Sequence, residues 1–142
     1  MKNDLWRLSI VACLASFAAV FVVAAAMFAP KGGTSTNVDL AEGLVILGQT
    51  FATGIAAGVV AHLVALPVMY LTYFALRKPD RDMQSAGPLI SASWTAAAWF
   101  ITMTFVGWDE ITYIAPQGLV LLTIAASILT ALLGARIVFR GK

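Results

Sequence analysis

One cysteine, one histidine and seven carboxylates in 142 residues leave few ways to do chemistry. Cys13 stands alone inside an apolar run, which excludes an intrachain disulfide and a cysteine-based metal or iron–sulfur centre. It reads as a small buried hydrophobe. A lone histidine excludes a haem held by two imidazoles of the same chain, and ligand-type residues are too few for a zinc or di-iron site. The Asp and Glu residues fall in polar connections or at the ends of apolar runs, so the membrane-embedded acid expected of a proton-coupled exporter is missing. A phosphate-binding loop is missing too, because Gly32 and Gly33 are not followed by Lys and Ser/Thr. The serines nearest His62 in sequence lack a buried acid to orient the ring for nucleophilic catalysis. These absences predict no catalytic residues, no metal site and no cofactor, and hence a protein that is not an enzyme.

Charge is also scarce. Charged residues make up 11% of the chain and hydrophobic ones 61%, against about 25% and about 45–50% in soluble domains. The mean hydropathy is +0.90. A soluble fold of this size has no means of hiding so much apolar surface. The net charge of +2 does not indicate a nucleic-acid partner, since the nine Lys and Arg are not gathered into one patch interleaved with aromatics. They stand at the ends of apolar runs.

Those runs, 8–29, 44–76, 89–108 and 119–139, are what the chain is made of. A crossing of a ~30 Å hydrocarbon core takes about 20 apolar residues in a helix, so each run is a spanning segment. The expected fold is all-α, a four-helix transmembrane bundle with short loops in a single domain of residues 1–142. The first run is too long for the apolar core of a signal peptide. The second is longer than one span needs, which predicts tilt, a kink at Pro67, or projection past the bilayer. The third is the least hydrophobic, with Ser91, Ser93, Thr95, Thr102 and Thr104 along it, and is expected inside the bundle, where hydroxyls bond to their own helix or a neighbour. Asp39 and Glu42, three residues apart before the second run, have the spacing of a capping box. Residues 77–88, rich in charge and bracketed by prolines, read as the middle loop.

Lys and Arg favour the cytoplasmic side of short loops. With four crossings the two termini and the middle loop share a side that holds Lys2, Arg7, Arg77, Lys78, Arg81, Arg136, Arg140 and Lys142, leaving only Lys31 of the nine opposite. Both termini are therefore expected in the cytoplasm of a cell bearing this protein in its inner or plasma membrane. Trp108 and Tyr113 fit an outer aromatic belt, and Trp6, Tyr70 and Tyr73 an inner one. No internal repeat is present, so an inverted-repeat transporter is not indicated.

Gly54, Gly58 and His62 lie on one row of the second helix, with Ala65 beside them. Two glycines at GxxxG spacing admit another backbone, from the same chain or from a partner membrane protein or second copy. His62 is the one ionisable side chain placed away from both interfaces, a functional hypothesis by default. In its structural role it donates to a Ser or Thr of the third run and holds register. In its functional role it lines a polar path with Ser91, Ser93, Thr95 and Thr102.

Three functions follow. The leading one is a non-enzymatic subunit or accessory protein of a membrane complex, contacted through Gly54 and Gly58. The second is a small oligomeric transporter or channel with His62 in or near the path. The third is a membrane-lesion protein of the holin kind.

Overall fold

A chain surrounded by lipid must satisfy every backbone N–H and C=O internally, which long apolar runs achieve as helices. The computed structural model describes residues 2–28, 40–76, 82–109 and 116–140, and their regular structure is helical: α1 Lys2–Phe28, α2 Leu40–Val64, α3 Leu66–Leu76, α4 Met83–Val106 and α5 Gln117–Val138. Four of these, all but α3, are long and apolar enough to cross a membrane. Large side chains point outward around the whole surface, among them Phe21, Leu71, Phe74, Phe100, Phe105 and Ile137. Such a surface suits lipid and not water.

The helices differ from the apolar runs at their ends. α1 begins at Lys2 instead of residue 8, taking Asp4 and Arg7 into the helix. Both find partners inside the fold: the Tyr73 hydroxyl donates to Asp4 Oδ2 at 3.2 Å, and Arg7 Nη1 donates to the Val138 carbonyl at 3.1 Å. α4 likewise begins at Met83, so Pro88 lies within a helix and not in a loop. The missing N–H of a proline near a helix start removes a single intrahelical bond, and Ala86, Gly87, Pro88 and Ile90 are all buried. At the other end α4 stops at Gly107, whose φ of 86° is open to glycine at little cost and whose N–H still reaches the Met103 carbonyl at 3.0 Å.

The second run is two helices. α2 and α3 meet at Ala65, whose carbonyl accepts from both Val68 N (3.1 Å) and Met69 N (3.3 Å). Pro67 is the cause, because it offers no N–H to the Leu63 carbonyl and its ring crowds that turn. The break frees α3 to fold inward. Tyr73, expected in an aromatic belt, is instead buried against Asp4, while Trp6, Tyr70 and Trp108 do face outward. Cys13 also faces outward, contrary to its reading as a buried residue. Asp39, the middle-loop residues 77–81, Glu110 and Tyr113 lie outside the described residues.

α4 touches every other helix, and α1 packs along α5. α2 touches α1, α3 and α4 but not α5. A hydrophobic cluster fills one end of the bundle, and Val20, Ala24 and Val120 are buried apart from it. The cluster gathers Leu8, Val11 and Ala15 of α1, Met69 and Tyr73 of α3, Ile90 and Trp94 of α4, and Ala131 and Ala135 of α5 with Phe139 just beyond. At that end the starts of α1 and α4 meet the ends of α3 and α5. Arg7 caps the carbonyl end of α5 and stacks 5.7 Å over the Phe139 ring.

Candidate functional site

Toward the opposite end the bundle loosens, and the reason lies in residue size. The inner face of α2 runs Thr50, Gly54, Ala57, Gly58, Ala61, a helical stripe with almost no side-chain volume. α1 faces it with Ala15, Ser16 and Ala19, and α4 with Thr95, Ala98 and Thr102. Glycines bring α2 close to α1. A Cβ on Gly54 would collide with Val20 Cγ2, and one on Gly58 would lie 2.6 Å from Ser16 Oγ. The Gly54 and Gly58 face is thus applied to α1 of the same chain. On the α5 side, no side chain among the described residues fills the space between α2 and α5, which do not touch. The result is a partly open chamber of about 680 Å³ bounded by α1, α2, α4 and α5, within the ~300–1,000 Å³ of small-molecule sites.

His62 stands at the floor of this chamber, where the loose half meets the packed core. Its Nδ1 lies 2.8 Å from the Gly58 carbonyl, which only accepts, so Nδ1 carries the hydrogen. In the neutral ring Nε2 then presents a lone pair, and the Thr95 hydroxyl donates to it across 3.3 Å. The polarity is opposite to the expectation that the imidazole donates to the third run. The same turn is pinned twice more: Trp94 Nε1 donates to the His62 carbonyl at 2.8 Å, and the Trp94 indole meets the imidazole edge-on at 5.2 Å. Three contacts from α4 on one residue of α2 hold the helices in register beside the Ala65 break.

The remaining polar groups of the chamber follow one pattern. Ser16 donates to Ala12 O, Thr50 to Ile46 O, Thr102 to Ala98 O, Thr123 to Leu119 O and Ser127 to Ile124 O, each at 2.8 to 3.0 Å. Trp99 Nε1 donates to Ser127 Oγ. Hydroxyls bonded to their own helix carbonyls are a low-cost way to keep polar atoms in lipid.

Of the residues singled out from sequence, Gly54, Gly58, His62, Thr95 and Thr102 come together around the chamber. Ala65 is fully buried in the core below it, and neither Ser91 nor Ser93 lines it. Ser91 Oγ is buried and, among the described residues, has no hydrogen-bond partner. Sequence reasoning missed Trp99, Thr123 and Ser127, which reach the chamber from α4 and α5. Their signal is faint, a Thr and a Ser one helical turn apart in the last run. It also missed Asp4, a buried carboxylate at the packed end whose proximity to the N-terminus reads as a helix start. No family model, no curated protein and no solved structure matches the chain.

Proposed function

We propose that this chain is a small multi-pass protein of the cell's inner or plasma membrane that binds a small, largely apolar molecule within its bundle and passes it along or across the bilayer, without covalent chemistry. The observation that carries this reading is the chamber: four helices surround about 680 Å³ in which the walls are largely apolar and His62, bonded to Thr95, is one of the polar groups on them. Apolar walls with a small number of placed polar groups are the usual composition of a ligand site. The positive-inside count supports a packed end in the cytoplasm, with both termini, and a chamber in the outer half of the membrane.

The test is binding of a fluorescent lipophile to the purified protein in detergent. Saturable binding that falls at least tenfold in Ala61→Phe, whose ring enters the chamber, supports the reading. Uptake indistinguishable from that of empty micelles overturns it. Proteoliposome flux of the same probe, reduced in His62→Ala, separates a carrier from a binding protein.

A second reading, an accessory subunit of a membrane complex, is favoured by α2. Along Ala41–Val64 only Gly43 and His62 are buried within the chain. A partner helix or second copy on α2 would complete its packing, and purification in mild detergent would then return a hetero-complex or a defined oligomer. A strictly monomeric particle counts against it.

A further inference from the structure

Among the described residues, every side-chain hydrogen-bond donor on the chamber wall is already engaged. The protons of Ser16, Thr50, Thr102, Thr123 and Ser127 go to carbonyls of their own helices. That of Thr95 goes to His62 Nε2, that of His62 Nδ1 to Gly58 O, and the Trp99 N–H to Ser127. Among the described residues, these eight are all the side chains with N–H or O–H that line the chamber. What the wall has left is lone pairs, since a hydroxyl oxygen that donates once can still accept. The most open of them belong to Thr50 and Thr102, which are only half-buried, whereas Thr95, Thr123 and Ser127 are almost closed off.

Resting on the ligand-binding reading above, we propose that the chamber selects a neutral lipid alcohol, a hydrocarbon body carrying a hydroxyl, and that the hydroxyl donates to Thr102 or Thr50. A ketone, quinone or ether brings only acceptors to a wall that offers only acceptors, so it gains no hydrogen bond unless an existing one is broken. A carboxylate meets the same lone pairs with a full negative charge. An ammonium would donate, but no carboxylate lines the chamber among the described residues to balance its charge, and an unpaired ion in an apolar site is costly. A hydroxyl adds one bond and breaks none. The hydrocarbon body lies along the glycine and alanine stripe of α2, where no side chain competes for space.

The test uses the full chain in detergent, a photoreactive diazirine derivative of a sixteen-carbon alcohol, and a matched series in which the hydroxyl is replaced by methyl ether, ketone or carboxylate. Saturable labelling of the α2 and α4 peptides by the alcohol is expected. The ether and ketone should compete about five- to tenfold less well, the worth of one hydrogen bond. In the double variant Thr50→Val, Thr102→Val, alcohol and ether should bind equally, and unchanged ether binding shows that the chamber has kept its shape. Ether or ketone binding as tight as alcohol in the wild-type chain would overturn the selectivity and leave the chamber a ligand site. A preference that survives the double variant would overturn the assignment to these two threonines. Labelling by no member of the series above the level of free lipid would overturn the ligand-binding reading itself.

Discussion

Gly58 and Ser16 show how one missing methyl group sets a helix distance. In lipid, helices gain little from burying apolar surface, since the tails outside are as apolar as the neighbours inside, and close backbone approach becomes the source of adhesion. Gly58→Ala puts a Cβ 2.7 Å from Ser16 Cβ, so α1 and α2 must move apart. The variant is expected to lose about 1–3 kcal/mol of stability, read from thermal unfolding in detergent by tryptophan fluorescence. Ser16→Gly in the same chain should recover most of the loss by removing the obstructing atoms. Ser91 is the converse case, with a buried hydroxyl that finds no partner among the described residues. An unsatisfied buried group costs about 1–3 kcal/mol, so Ser91→Ala should leave the midpoint unchanged or raise it. A lower midpoint would show that the hydroxyl has a bond after all.

α3 is an element too short to span and too apolar to lie free, and its position depends on one proline and one tyrosine. Pro67 interrupts the ladder at the Leu63 carbonyl, the chain breaks at Ala65, and the following helix turns its Tyr73 face into the core. There the phenol donates to a carboxylate buried at 7% exposure. Tyr73→Phe removes this hydrogen bond to the carboxylate and is expected to cost about 1–3 kcal/mol. Phe74→Leu, on the outward face of the same helix, should change stability by less than about 0.5 kcal/mol. Equal effects of the two substitutions would mean that α3 is held by something other than this contact.

At the scale of the molecule the bundle is asymmetric, packed around Leu8, Ile90 and Phe139 at one end and open around His62 toward the other. If the basic end faces the cytoplasm, as charge counting predicts, then Gln84 and Gln117, both exposed at the starts of α4 and α5, face opposite compartments. In a Cys13→Ala background, Gln117→Cys in intact cells should react with a membrane-impermeant maleimide, and Gln84→Cys only after permeabilisation. Labelling of both from one side would contradict four crossings, and the reverse pattern would place the chamber in the cytoplasmic leaflet.

Composition and run length alone determined that the chain is helical, that four of its helices are long and apolar enough to span, and that Gly54, Gly58 and His62 share a face, because hydropathy and the 3.6-residue period are local properties of sequence. The helix ends were not legible, since Asp4, Arg7 and the Gly87-Pro88 pair look like breaks until Tyr73 reaches Asp4, the Val138 carbonyl reaches Arg7 and Phe139 packs on Gly87 from far along the chain. The Pro67 kink was legible as an option, but not its consequence for Tyr73. Least legible was the chamber, which is made of what is missing between helices: small side chains on α2 and the gap between α2 and α5 exist only once α1 and α4 have set the two apart. The direction of the His62 to Thr95 bond is of the same kind, fixed by a helix carbonyl that takes the proton on the far side of the ring.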